Sequence, residues 1–127
     1  MIAVDTSALM AILLDEEETA ACAEALTSND PIVMSAGTVA EALIVAERRS
    51  LGVEMATLID GLGLEIENVT LGAARRVAGS YARWGKGVNP AGLNFGDCFA
   101  YEVAKTRDCP LLYVGADFAR TDVKSVL

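Results

Sequence analysis

Apolar and polar positions fall into blocks along this chain, and the period of the blocks keeps changing. Ile2-Ala3-Val4 is a short continuous apolar run that stops at Asp5, which predicts a strand buried on both faces. Residues 6–14 then read as a helix capped by Thr6 or Ser7. Asp15-Glu16-Glu17-Glu18 loads the first turn of a second helix, where acids complement the dipole, and that helix reaches about Asn29. After the Asp30-Pro31 turn, Ile32-Val33-Met34 predicts a second buried strand. Residues 35–38 open a third helix that continues to Ser50, with Val39, Leu43, Ile44 and Ala46 inward, and Leu51-Gly52-Val53 breaks it. Residues 55–62 form a fourth helix, ended by Gly61 and Gly63. Residues 64–69 alternate as a half-exposed strand does. Thr70 caps a fifth helix that ends near Trp84-Gly85, and residues 85–94 are too rich in glycine and proline for regular structure. Residues 96–106 are a sixth helix, residues 110–114 a fully apolar fourth strand, and residues 122–127 a short edge strand.

Strands alternating with helices imply an α/β sandwich around a mostly parallel sheet, organised as one domain over residues 1–127. In such sheets ligands bind outside the carboxyl ends of the strands. Four acids fall where that edge is expected. Asp5 and Asp117 follow apolar runs, Glu41 sits early in the apolar third helix, and Asp97 sits at the start of the sixth. Carboxylates are costly to bury unless they are paired or bind a cation. Four in apolar contexts point to one shared cation, and oxygen-only ligands point to a hard one, Mg²⁺ or Mn²⁺.

Composition narrows the chemistry further. With 53% hydrophobic residues the chain has ample material for a core, yet no apolar stretch approaches the roughly 20 residues of a membrane helix. The N-terminus has no basic region of the kind that opens a signal peptide. Three cysteines, Cys22, Cys98 and Cys109, stand at no metal-ligand spacing, so a reducing cytoplasm is the natural setting and each reads as a small core residue. Histidine is absent, which excludes Ser-His-Asp and Cys-His nucleophile systems, a paired-His ribonuclease and His-ligated zinc. Any general acid or base is a carboxylate, Lys, Tyr or metal-bound water. The net charge of −8 is wrong for a nucleic-acid binder, but its distribution is not. Residues 1–67 hold 13 acids against Arg48 and Arg49, a balance of −11, whereas residues 68–127 hold five acids and eight bases, a balance of +3. Some of Arg75, Arg76, Arg83, Lys86, Lys105, Arg107, Arg120 and Lys124 can meet a phosphate backbone locally, and a solvated mixed surface is the plainer reading of each.

Four motifs in order carry a resemblance. Val4-Asp5-Thr6-Ser7-Ala8-Leu9 resembles the opening of a PIN domain, and Thr38-Val39-Ala40-Glu41-Ala42 its second acidic motif. Leu93-Asn94-Phe95-Gly96-Asp97-Cys98-Phe99-Ala100-Tyr101 resembles the third, and the stretch from Leu111 through Asp117 to Val123 the closing motif. Within that superfamily the chain is most similar to VapC-type toxins of bacterial toxin–antitoxin pairs. The resemblance implies a three-layer α/β/α sandwich and a metal-dependent endoribonuclease that leaves a 5′-phosphate and a 3′-hydroxyl. It implies an acidic site of Asp5, Glu41, Asp97 and Asp117, with Asp5 and Asp97 as direct ligands of Mg²⁺ or Mn²⁺. Glu41 binds directly or through water, and Asp117 completes the cluster or holds a second metal. The closing motif often carries an acid or Asn just before its Asp; here that residue is Ala116, and Asp122 is the alternative fourth carboxylate, with a capping or salt-bridge role as its plainer reading. The resemblance further implies a VapB-like antitoxin that obstructs the site, an Arg of that antitoxin meeting the acids, a homodimer, an RNA substrate, and a cytoplasmic, non-membrane location.

The chemistry is self-consistent. Clustered carboxylates repel one another, so some have raised pKa values without metal, and a divalent cation neutralises them and acidifies a bound water that can attack a phosphodiester in line. Thr6 and Ser7 orient a carboxylate, a water or the phosphate, or simply cap the first helix. Asn94 fixes the loop that presents Asp97. Trp84 and Tyr101 stack on bases, or pack in the core or at a subunit interface. Three other readings compete: a PIN nuclease of RNA maturation or of flap DNA, a non-catalytic PIN module that binds partners, and a phosphotransfer receiver domain. The last needs an acidic pair near the first strand and a Lys after the last, and the chain has Gly115-Ala116-Asp117 there instead.

Overall fold

Parallel strands need long crossovers, and the helices between the apolar runs supply them. The computed structural model describes residues 1–127. Its elements run β1 (Ile2–Val4), α1 (Thr6–Leu13), α2 (Thr19–Thr27), β2 (Ile32–Ser35), α3 (Ala36–Arg48), α4 (Gly52–Gly61), β3 (Glu65–Glu67), α5 (Leu71–Trp84), α6 (Phe95–Thr106) and β4 (Leu111–Leu112). The sheet has the order β3-β2-β1-β4 and every pairing in it is parallel. Ala3 pairs with Val33 on one side and with Leu111 on the other, which centres β1 in the sheet.

Strand periodicity divides the core into two layers. Ile2 and Val4, Ile32 and Met34, and Leu112 point to one face, where they pack with Leu9, Cys22, Ala42 and Met55 from α1–α4. Ala3, Val33 and Leu111 point to the other, where they pack with Val77 of α5 and with Cys98, Tyr101, Val103 and Ala104 of α6. The result is an α/β/α sandwich. The chain steps from β1 to β2 to β3 in one direction and then returns past α5 and α6 to β4 on the far side of β1. The order of the strands therefore reverses between β1 and β4, and the crevice at such a reversal, outside the carboxyl ends, is where α/β sheets bind ligands.

Several local expectations change. The acids Asp15–Glu18 form turns ahead of α2 rather than its first turn, with Asp15 in the left-handed region at φ 51°. Helix α3 ends at Arg48 and α4 begins at Gly52, so the break falls at residues 49–51 and Gly52-Val53 already opens the next helix. Strand β3 is only Glu65–Glu67, and residues 122–127 add no strand, only a single parallel bridge from Ser125 to Leu111. In α3 the inward positions are Thr38, Ala42 and Ala46, while Leu43 and Ile44 are exposed, because Ala42 and Ala46 lie one turn apart on the face that packs into the core. Thr70 does cap α5, accepting from the Ala73 amide at 3.1 Å.

Candidate active site

The site begins with the first turn after β1. Asp5 itself, not Thr6 or Ser7, is the N-cap of α1. Its Oδ2 accepts from the Ser7 amide at 3.0 Å and from the Ser7 hydroxyl at 2.7 Å. The same hydroxyl oxygen accepts from the Val114 amide at 3.0 Å, so Ser7 ties the end of β1 to the chain just past β4. Oδ1 of Asp5 is buried and has no hydrogen-bond partner. Thr6 points the other way and donates to Glu41 Oε1 at 2.6 Å.

Asp97 enters on α6, whose start is held by a reciprocal capping box. Asn94 Oδ1 accepts from the Asp97 amide at 2.8 Å, and Asp97 Oδ2 accepts from the Asn94 amide at 3.0 Å. Between them sits Gly96, against which the Glu41 carboxylate is pressed so closely that a Cβ there would overlap Oε2. One turn before Glu41 on α3, Gly37 similarly makes room for the ring of Phe99. Two glycines thus let α3 and α6 approach closely enough to seat Glu41 at the α6 terminus. Asp117 lies exposed in the turn after β4.

The electrostatics follow from burial. Asp97 is 6% exposed, and burial raises its carboxyl to about 7; the Asn94 amide opposes this, and the charges of Asp5, Asp117 and Glu41 add to it. Burial likewise raises Asp5 to about 6, against its bonds from Ser7, with Glu41 adding to the rise. None of the ion pairs in the structure involves any of these four residues. Sequence and fold therefore bring Asp5, Glu41 and Asp117 within electrostatic reach of Asp97, and Glu41 within reach of Asp5. No three of them stand in coordinating geometry, and one oxygen of Asp5, Glu41 and Asp97 accepts from Ser7, Thr6 and Asn94 respectively. The remaining oxygens, led by the orphaned Asp5 Oδ1, are all hard donors, and that donor set fits a hard divalent cation.

Asp122 is placed elsewhere. It accepts from the Tyr101 hydroxyl at 2.7 Å and pairs with Lys105 at 3.3 Å and Arg83 at 3.7 Å, which hold its carboxyl below the usual range, with the Tyr101 bond the largest cause. Tyr101 is buried and accepts from Trp84 Nε1 at 3.0 Å, so its ring is no free stacking platform, and half-buried Trp84 lines the cleft between α5 and α6. Sequence reading missed Gly96 as the space for Glu41 and Ser7 as a cross-sheet tie. A glycine in the first turn of an apolar helix was the available signal for the former; nothing in the sequence marked the latter, because it depends on β4 lying next to β1.

Fold and site together define an α/β protein with an acidic, oxygen-donor centre at the carboxyl edge of a parallel sheet. The model of the PIN domain family matches residues 2–124. Ribonuclease VapC28 of Mycobacterium tuberculosis is 41% identical over 128 residues, covering 98% of this chain and 96% of the relative. Among solved structures, Mycobacterium tuberculosis VapC20, described as a Sarcin-Ricin loop cleaving toxin, has a TM-score of 0.80 at 18% identity over 99% of this chain and 98% of the other. A toxin-antitoxin complex from Klebsiella pneumoniae has a TM-score of 0.71 at 17% identity over 96% and 93%. The chain belongs to the PIN domain family and, within it, to the VapC group.

Proposed function

We propose that the chain is a Mg²⁺-dependent endoribonuclease, the toxin of a toxin–antitoxin pair, which hydrolyses RNA at the four-carboxylate site and so halts translation and growth. The observation that carries this reading is the pair Asp5 and Asp97, buried beside each other's charge with no cationic side chain to pair them. The name of the VapC28 relative supports ribonuclease action. Asp5 and Asp97 would hold the metal directly, Glu41 directly or through water, and Asp117 would complete the set or hold a second ion. Mn²⁺ satisfies the same donors. A divalent cation there supplies charge neutralisation for the phosphate and acidifies a coordinated water. The chain's own part is to fix the acids: Ser7 holds Asp5, Thr6 holds Glu41, Asn94 holds Asp97, and Gly96 leaves room for Glu41.

The partner in this reading is a VapB-like antitoxin, as the Klebsiella pneumoniae complex suggests by its description. Exposed Leu43 and Ile44 on α3 border a shallow hollow with Glu47, Arg48 and Gly52, and the balance of −11 over residues 1–67 favours a partner with Arg or Lys beside its apolar contacts. The reading includes a homodimer, for which exposed Leu71, Val88 and Phe95 leave apolar surface, and a cytoplasmic setting; no helix is long and apolar enough to cross a membrane.

The test is growth after induced expression of wild type, Asp5→Ala and Asp97→Ala, with RNA from each culture mapped for new 5′-phosphate ends. Arrest with discrete cleavage by wild type alone is expected. Arrest by all three would leave a partner-binding module, and soluble wild type without arrest would turn attention to RNA maturation.

A further inference from the structure

A second concentration of chemistry lies away from the acidic edge, in an open cleft of about 270 Å³ where α5 crosses α6. Arg76, Arg83 and Trp84 come from α5, and Tyr101, Glu102 and Lys105 from α6. The Arg83 guanidinium lies 4.5 Å from the centre of the Trp84 ring. Trp84 donates to the Tyr101 hydroxyl, which donates to Asp122, and Asp122 also draws in Lys105 and Arg83. Arg76 is held by buried Glu102 at 3.3 Å. These contacts orient the three cations without using them up. Each guanidinium has five N–H donors, and the side chains of Arg76, Arg83 and Lys105 remain 53%, 63% and 45% exposed.

A chain of net charge −8 that handles a polyanion needs cations gathered locally, and here three of its ten line one concavity. Asp97, Tyr101 and Lys105 are spaced by four on α6 and share a face, which puts Lys105 about 12 Å along the helix from Asp97. Arg120, three residues past Asp117, donates to the Pro90 carbonyl at 3.3 Å, which sets another cation beside the loop joining α5 to α6. Tyr101 between Asp97 and Lys105 is buried, so their separation along α6, and not a continuous groove along the face, is what links the acids to the cleft.

We propose that this cleft is a second RNA contact, gripping a phosphate through Arg83 and Lys105 and stacking an unpaired base on the Arg83–Trp84 pair. It rests on the nuclease reading above and adds the path of the flanking strand. Guanidinium planes and aromatic rings are the usual platforms for unstacked bases. Asp122 sets the position of the two cations and, as a carboxylate, weakens their hold on phosphate.

The test uses a fluorescein-labelled single-stranded RNA of about 12 nucleotides, within the usual range of site sizes. Binding is followed on an Asp97→Asn background in Mg²⁺ so that hydrolysis does not intervene, and KM is measured separately without that change. Arg83→Ala with Lys105→Ala should weaken binding by about tenfold or more and reduce the log–log salt slope by about one per lost cation. Trp84→Ala should weaken binding by about tenfold and leave the slope alone. Asp122→Asn, which keeps an acceptor for Tyr101 but frees both cations, should tighten binding and lower KM. A purely structural network predicts the reverse for Asp122→Asn, so weakening there overturns the proposal, as does unchanged binding in the folded double variant. Carboxylate-dependent cleavage with KM unaffected by the cleft would sink the cleft and spare the nuclease reading. Cleft-dependent binding without cleavage would do the opposite. Loss of antitoxin binding with RNA binding intact would reassign the cleft to a protein partner.

Discussion

Asp97 and Asp122 both belong to the surroundings of α6, and their carboxyls are driven in opposite directions. Asp97 is buried near Asp5, Glu41 and Asp117, and its carboxyl rises to about 7. The Asp122 side chain is 38% exposed, accepts from Tyr101, pairs with Lys105 and Arg83, and its carboxyl falls. Residue type is identical, so the difference is wholly environment: desolvation among like charges at one end of the helix, and hydrogen bonds with opposite charges further along. The first environment stores unfavourable charge that a cation or a proton relieves. The second is already satisfied and has no comparable demand for a ligand at the aspartate itself.

The sharpest way to break this contrast is by conservative amides. Asp97→Asn should lower ribonuclease activity by more than about 100-fold, since even groups that only support metal ligands cost 10–100-fold. Asp122→Asn should keep the chemical step near wild type. Measured kcat on a defined RNA checks both, and equal losses would mean the two aspartates serve one site. The same Asp97→Asn should raise the melting temperature at neutral pH, because it removes a charge that is costly where it sits.

Next in size is Gly96→Ala. The added methyl occupies the place of Glu41 Oε2, so activity should fall about 10–100-fold. Adding Glu41→Asp, which withdraws the carboxylate by one methylene, should restore part of it. A methyl that merely strained α6 would not be rescued in this way.

The pH dependence separates the two environments without mutation. The folded-state pKa values of Asp5 and Asp97 lie above their ordinary 3.8, at about 6 and about 7. Ionising them costs more in the folded chain than in the unfolded one, so metal-free stability should fall as pH rises from about 4 to about 7 and then level. Asp122 acts with the opposite sign and contributes stability that is lost only in acid. Chemical denaturation at a series of pH values in EDTA, wild type against Asp97→Asn, checks this. The wild-type slope should exceed the variant's, by a difference on the order of a few kcal/mol across the range. Mg²⁺ should stabilise wild type more at pH 7.5 than at pH 5. A Mg²⁺ effect independent of pH would contradict proton release from these acids.

The smallest change is Ser7→Ala. It leaves the Val114 amide without its acceptor and removes one of the two bonds on Asp5 Oδ2, at a cost of about 1–3 kcal/mol. A melting curve reads the stability, and a smaller loss would show that water reaches the Val114 amide.

Much of this arrangement was legible in the chain. The apolar runs Ile2–Val4 and 110–114, of which Leu111–Leu112 forms the strand, read as buried strands once helices flanked them, and acids following such runs mark the carboxyl edge of a parallel sheet. The capping box of Asn94 and Asp97 follows from residues three apart, and local hydrogen bonds of that kind are written in sequence. On α3 Ala46 is inward as read, but Leu43 and Ile44 are exposed, because period alone does not say which of two adjacent apolar stripes meets the core; the stripe with small Ala42 won since close helix packing leaves no room for Leu43.

Sequence alone therefore determined most of the elements, the candidate acids and the absence of histidine chemistry, since each depends on residue type and local spacing. Which of the two aspartates near the end of the chain was pushed up and which was pulled down, why Gly96 must be small, and how Ser7 joins β1 to β4 were decided only in three dimensions. Those outcomes depend on distance and on exclusion of water between residues from 17 to 107 positions apart, as in Lys105 with Asp122 and Ser7 with Val114. Such terms have no local signature, because the dielectric around a carboxylate is set by whatever the fold packs against it.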